Sequence, residues 1–395
     1  MKELSEISLT DLWKEYNNTF RDYWVRHEEM IMHLRKVLIE GALKVEQHQY
    51  IGAGEYERSP ERGDYRNGYW RRWIILKDGR LEIKMPRLRS KGYRSKIIPR
   101  YKQRVEEVDE VLRRIFLYGA STRLTSQALK PLIGEELSAQ TISNIAKSLD
   151  EEVKRFHRRP LEDRYLYLFL DAVVIKERSG YGVKKRAVLV AYGIRVDGKR
   201  ELIDFRVEKS ESENKWAGFL QDLYMRGLKG EVLSLIITDG APGLEGAVEL
   251  VYPLVKRQRC WVHKMRNVVK YIKRGDREEC MNGARKIYKA SSRWEAIKEF
   301  KKWAERWGGI YPKAVRCIGK DLEELLNFYY TPRELWVKLR TTNVIERSFR
   351  EVRRRTRTIS CFNNTPSIER IVYAVISRLN DQWSIKPLKE FTQKY

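Results

Sequence analysis

Two apolar runs, Tyr165-Leu-Tyr-Leu-Phe-Leu170 and Leu233-Ser-Leu-Ile-Ile-Thr238, lead straight into aspartates, Asp171 and Asp239. Runs this short and this apolar suit buried strands. Between them, residues 186–195 and 201–208 read as strands joined at the turn signal Asp197-Gly198, and residues 216–225 carry apolar side chains at helical spacing. The order is β-β-β-α-β. An acid placed just after a buried strand is held rigidly at a sheet's carboxyl end, where open α/β sheets take their ligands, and oxygen donors there suit a hard divalent cation. A third acid, Glu346, stands beside the basic run Arg347 to Arg357.

The charge balance points toward a polyanion. The 395 residues include 80 Lys+Arg against 54 Asp+Glu, a net charge of +26, which favours a phosphate backbone through counterion release. The bland alternative is a surface charged for solubility, or a thermophile's surface, with 34% charged residues. With 42% hydrophobic content the chain can bury a sizeable core, and its length suggests roughly two or three domains. Cys260, Cys280, Cys317 and Cys361 form no CxxC pair and no dense disulfide framework, which fits a reducing interior. The charged start Met1-Lys-Glu-Leu-Ser-Glu-Ile7 lacks an apolar signal core. No stretch approaches the roughly 18 to 20 apolar residues of a membrane span. The expectation is a soluble cytoplasmic protein, associated with the nucleoid and without a membrane partner.

Six segments follow from shifts in pattern. Residues 1–50 read as helical, through Leu9, Leu12, Trp13 and Tyr16 and again through Met30, Leu34 and Leu38. Residues 51–104 combine a Gly-rich linker, Gly52 to Gly68, with a hairpin whose strands, Tyr69 to Leu76 and Leu81 to Met85, flank Asp78-Gly79 and end at Pro86. The basic tail Arg87 to Lys96 either tracks phosphates or is a solvated loop. Residues 105–160 hold helices at 105–116, 122–133 and 138–156, with a turn at Gly134-Glu-Glu-Leu137 and Ser138 as N-cap. This resembles a helix-turn-helix, whose second helix would offer Gln140, Thr141, Ser143 and Asn144 to base edges; a purely structural bundle is the alternative. A segment of different composition spans 161–263, the stretch 264–338 reads as helical and aromatic and is too long for a loop, and 339–395 carries the third acid and the basic helix.

Each singled-out residue also has an ordinary reading. Asp239 before Gly-Ala-Pro fits a turn or helix-capping residue, and Glu346 fits a solvated helix acid paired with Arg350 four residues on. Cys260 and His263 supply two of the four ligands of a tetrahedral zinc site, with no second pair nearby in sequence, so zinc is not indicated. Cys260 then packs as a small apolar structural residue, while His263 either hydrogen-bonds at a helix start or has an active-site role, touching the scissile phosphate or steadying a metal ligand. Arg347, Arg350, Arg353, Arg354, Arg355 and Arg357 place guanidinium forks, which suit DNA phosphates, along one helix.

The β-β-β-α-β order resembles the ribonuclease H-like fold, in which strands one and four are neighbours. There Asp171 and Asp239 would stand side by side, because adjacent strands lie about 4.8 Å apart and the ions of two-metal sites about 3.5 to 4 Å apart. The stretches Thr238-Asp-Gly-Ala-Pro-Gly-Leu244, Arg259-Cys-Trp-Val-His263, Thr341-Thr-Asn-Val-Ile-Glu-Arg347 and Glu351-Val-Arg-Arg-Arg-Thr-Arg357, behind Gly119-Ala-Ser-Thr-Arg123 and Ser138 to Ile142, resemble the Mutator-type transposases, the IS256 family. The resemblance runs from about residue 50 to about 380. It implies an α/β, ribonuclease H-like mixed-sheet catalytic domain with an all-helical insertion, preceded by a helical and β-hairpin region and the helix-turn-helix DNA-binding region. It implies a catalytic triad of Asp171, Asp239 and Glu346, which also ligate metal, and a C-x-x-H motif at Cys260 and His263. Phe349 departs from the family, which often has a polar Asn there. The resemblance further implies an insertion tryptophan that stacks on a flipped base, for which Trp307 is the candidate and core packing the ordinary reading.

The activity so implied is Mg²⁺-dependent DNA strand cleavage and strand transfer, with two ions and Mn²⁺ able to substitute. The partner is double-stranded DNA, both terminal inverted repeats and target, and a homodimer is expected because two ends must be held. The alternatives are a ribonuclease H-like structure-selective nuclease or resolvase, and a non-catalytic helix-turn-helix regulator.

Overall fold

The computed structural model describes residues 20–388 apart from 91, 119–121, 134–135, 181, 358, 360 and 386. The helix expected through Leu9 to Tyr16, Gly119 to Ser121, the first two residues of the 134–137 turn and residues 389–395 therefore lie outside the described residues. The chain forms two compact units, one of Met1–Ile115 with Ser121–Ile145 and one of Phe116–Ala120 with Ala146–Tyr395.

In the first unit a long helix α1 (Phe20–Ile51) packs on a two-stranded antiparallel sheet of β1 (Arg66–Leu76) and β2 (Gly79–Leu88), burying Leu43 against Ile74, Ile83 and Met85. The turn at Asp78-Gly79 is where the sequence places it, and Gly79 takes φ +140. Pro86 does not stop β2. It pairs with Tyr69 inside the ladder, as a proline can on a strand with a free edge. Helices α2 (Glu106–Leu117), α3 (Thr122–Ile133) and α4 (Ala139–Lys147) follow. Val108, Leu112, Leu137, Ile142 and Ile145 make their core, and the Ser138 hydroxyl accepts the Thr141 N–H at 3.1 Å as an N-cap. The single helix expected over 138–156 is instead two, broken at Ser148 before α5 (Leu149–Arg158). Residues 146–158 belong to the second unit, where Leu149 and Val153 are buried and Phe156 meets Phe205 and Tyr373.

The second unit is built on a mixed five-stranded sheet. In chain order its strands are β3 (Tyr165–Ser179), β4 (Gly182–Arg195), β5 (Arg200–Glu208), β6 (Leu235–Thr238) and β7 (Lys256–Arg259), and in space they run β5-β4-β3-β6-β7. The first three are antiparallel; helix α6 (Glu213–Met225) then carries the chain across to β6, which lies parallel to β3. Helix α7 (Pro242–Val251) leads on to β7, parallel to β6.

Both faces are covered. Leu168 and Leu170 pack with α6 and α7, while Phe169, Val173 and Ile175 face the other side. Alternation therefore turns Asp171 toward the face of Phe169. That face carries α8 (Trp261–Val268), the helical insertion with α9 (Arg277–Lys289), α10 (Arg293–Gly308) and α11 (Pro312–Gly319), and the last two helices, α12 (Asn343–Arg357) and α13 (Thr365–Ile385). The Asn380 side chain covers the β5 edge by exchanging hydrogen bonds with Leu202, at 2.8 and 3.0 Å.

Candidate active site

Strand β3 continues past Asp171 instead of ending before it. The residues beyond keep pairing with β4, and alternation buries Val173, Ile175 and Glu177, the last neutralised by Arg186. The parallel pairing with β6, however, stops at Phe169 opposite Ile237, so that two residues on Asp171 and Asp239 come level at the carboxyl end of β6. Farther along, the free edge of β3 is taken up by Phe362, whose N–H donates to Lys176 O at 2.9 Å. Between these points β3 has no strand partner on that side among the described residues, and α12 packs against it.

Local chemistry fixes each acid. The Asp239 carboxylate accepts the Ala241 N–H at 2.9 Å, an Asx-type turn that hands the chain to α7 through Gly240 at φ +85 and Pro242 in the first turn. Asp171 accepts the N–H of Ala172 at 2.8 Å. Burial pushes the Asp171 carboxyl up to about 7, with Asp239 and Glu346 adding to the rise and the Ala172 N–H and His263 opposing it. Glu346 sits in the first turn of α12, 3.7 Å from His263 Nε2 and 4.0 Å from Arg266 Nη1. It faces these two side chains and not Arg350.

A chain of hydrogen bonds links the elements that carry the acids. Cys260 N–H donates to Thr238 O at 2.8 Å, Thr342 N–H donates to Cys260 Sγ at 3.2 Å, and Glu346 N–H donates to Thr342 O at 3.0 Å. Cys260 and Thr342 are both buried. Burial pushes the Cys260 thiol up, but hydrogen bonds with His263 and Thr342 outweigh it and leave the thiol lowered. His263 is raised by its hydrogen bond with Cys260 against burial, with Asp171 and Asp239 adding to the rise. Thr342 was not singled out from sequence, although its motif contained it, and neither was Arg266. Also unforeseen is a charge network behind the site: Arg259 on β7 pairs with Glu324 and lies 3.3 Å from Asp321, and Lys264 pairs with Asp321, fastening the insertion to the sheet.

The remaining candidates divide. Arg347, Arg350, Arg353 and Arg357 are exposed on α12 and make no ion pair among the described residues. Arg354 pairs with Glu351 at 2.9 Å, and Arg355 is turned inward, donating to Phe116 O at 3.1 Å. Trp307 is a core residue, 5% exposed and stacked on Tyr311 at 5.9 Å, so its indole face is already spent inside the insertion; the exposed tryptophan there is Trp294. Phe349 is buried in the same core, which an Asn could not fill without an unpaired amide. Gln140 and Asn144 are exposed on α4 and bonded to each other at 3.0 Å, with Thr141 and Ser143 half-buried beside them.

The donor set of Asp171, Asp239 and Glu346 is all oxygen, and burial, with the other two acids adding to it, disfavours an uncompensated charge on Asp171, so the residues fit a hard divalent cation. Among the described residues no three His, Cys, Asp or Glu side chains are already drawn together as a ligand cage.

Residues 12–386 match the family model described as transposase, Mutator family. The chain is 33% identical to the transposase for insertion sequence element ISRM5 of Rhizobium meliloti, over 92% of this chain and 91% of that one. It is 35% identical to the transposase for IS406 of Burkholderia multivorans, over 88% and 90%. It is 32% identical to the transposase for IS256 in transposon Tn4001 of Staphylococcus aureus, over 85% and 86%. A simian T-cell lymphotropic virus intasome structure aligns with 41% of this chain and 55% of its own at 13% identity and a TM-score of 0.20, too low to bear on the fold.

Proposed function

The chain belongs to the Mutator family of transposases, and from that premise we propose that it is an insertion-sequence transposase that binds terminal inverted repeats and cuts and joins DNA by divalent-metal-dependent phosphoryl transfer. The observation that carries this reading is the placing of three acids from three elements: Asp171 and Asp239 stand level where β3 and β6 part, and the hydrogen-bond chain through Cys260 and Thr342 ties the start of α12, with Glu346, to the end of β6. Asp171, Asp239 and Glu346 would hold two Mg²⁺ ions, with Mn²⁺ able to stand in. Bound there, the metal supplies a lowered pKa for the attacking water or 3′-hydroxyl and charge stabilisation for the leaving oxygen.

The chain's own residues do the rest. His263, 3.7 Å from Glu346, either steadies that carboxylate or turns to contact the scissile phosphate. Arg347, Arg350, Arg353 and Arg357 hold backbone phosphates along α12. The strands beneath Asp171 and Asp239 keep the acids rigid, so one site serves both hydrolysis and strand transfer, and no covalent protein nucleophile is needed.

On this reading the sheet and its insertion are a ribonuclease H-like catalytic domain, and α2 to α4 a helix-turn-helix that offers Gln140, Thr141, Ser143 and Asn144 to base edges. The working form is a homodimer that holds two ends, acting in the cytoplasm at the nucleoid. A strand-transfer assay tests it: in Mg²⁺, an oligonucleotide carrying the inverted repeat should become covalently joined to a target plasmid. Cutting of branched DNA with no joined product would favour a resolvase instead.

A further inference from the structure

We propose that the first unit carries a separate nucleic-acid site, a cleft along β1 that takes an unpaired strand of DNA. Its construction starts with Arg72, which is 7% exposed on an otherwise outward-facing stretch of β1. Its guanidinium donates to Pro99 O at 2.9 Å and to Lys102 O, holding the 99–102 segment beside the strand. Farther along, Ile75 N–H donates to Gln103 O at 2.9 Å and Val105 N–H donates back to Ile75 O at 3.0 Å. A cleft of about 520 Å³ is lined by this tied segment, through Arg100, Tyr101 and Gln103, and by β1. That volume falls in the ~300–1,000 Å³ range of clefts that take small organic groups such as a nucleotide.

The sides of the cleft alternate ring faces with cations. Trp70, Trp73 and Tyr101 are 37%, 44% and 85% exposed, so part of each indole and most of the Tyr101 ring stand in water. The Arg80 guanidinium lies over Trp73 at 4.3 Å, and Arg100 lies 5.6 Å from the Tyr101 ring. Among the described residues no carboxylate lines the cleft; Glu82, outside it, is held by Arg71 at 3.6 Å. Ring faces for bases and guanidinium groups for phosphates are the two parts of a single-strand platform. A duplex stacks its bases on one another and shows only their edges in the grooves, so ring faces select a strand whose bases are unstacked.

The test uses the full chain without divalent cation, and reads anisotropy of a labelled oligo(dT) against a duplex of the same length. Trp73→Ala, Tyr101→Ala and Arg100→Ala should each weaken oligo(dT) binding about tenfold while duplex affinity stays within about twofold. Tyr101 is almost wholly exposed, so its variant keeps the test valid should Trp73→Ala disturb folding. Equal loss on both DNA forms, or no loss on either, overturns the proposal. Because nothing is cleaved in this assay, its failure leaves the reading of the carboxylate site untouched.

Discussion

At the scale of single residues, Asp171 has the clearest consequence. Its carboxyl rises from an ordinary 3.8 to about 7 in the folded protein, so the folded state holds a proton more tightly than the unfolded one. That contribution to stability is fully present below pH about 4, is lost as pH rises through about 7, and is flat above. Without divalent cation, the thermal midpoint of the wild type should therefore fall more steeply than that of Asp171→Asn between those limits. Mg²⁺ should raise the wild-type midpoint more at pH 8 than at pH 5, because at the lower pH the proton occupies the carboxylate. Identical pH profiles for the two proteins would contradict the assignment. Thr342→Val removes the hydroxyl that faces Cys260 and His263 but keeps its backbone bonds. It should lower the cleavage rate at least several-fold, with DNA affinity and melting temperature nearly unchanged.

At the scale of elements, the turn after β6 and helix α10 each carry a stability prediction. Gly240 at φ +85 opens α7, and a Cβ there would come within 3.4 Å of Arg259, so Gly240→Ala should destabilise by about 1–2 kcal/mol in chemical denaturation. Trp307→Ala should cost about 3–5 kcal/mol as a core cavity, and the folded fraction should bind DNA normally. A loss of DNA affinity without loss of stability would restore Trp307 to the interface. The elements were legible where the signal is local: the β-β-β-α-β order, the hairpin at Asp78-Gly79 and the cap at Ser138 all follow from periodicity and turn chemistry. What escaped depends on distant partners. The continuation of β3 beyond Leu170 carries no local signal, because Glu177 needs Arg186 before it can be buried. The break at Ser148 has no proline or glycine to announce it. Arg355 looks like its neighbours in sequence, and only the packing of Phe116 turns it inward.

At the scale of the whole molecule, a net charge of +26 makes DNA affinity strongly salt-dependent, and the exposed arginines of α12 are one identifiable share of it. Replacing Arg350 and Arg353 by Ala should flatten the slope of log affinity against log salt by about two phosphate contacts' worth. The proposed triad is legible only in part: the placing of the two aspartates follows from strand order, whereas the start of α12, with Glu346, is tied to β6 through Cys260 and Thr342, a link that no spacing in the sequence reveals. The most direct measurement of the central claim is therefore Mg²⁺-dependent cleavage of an inverted-repeat duplex by wild type, Asp239→Asn and Glu346→Gln, with binding of the same duplex measured in parallel. Both variants should bind as the wild type does and lose cleavage by about a thousandfold or more. Cleavage at the wild-type rate by either folded variant would contradict a site built on these carboxylates.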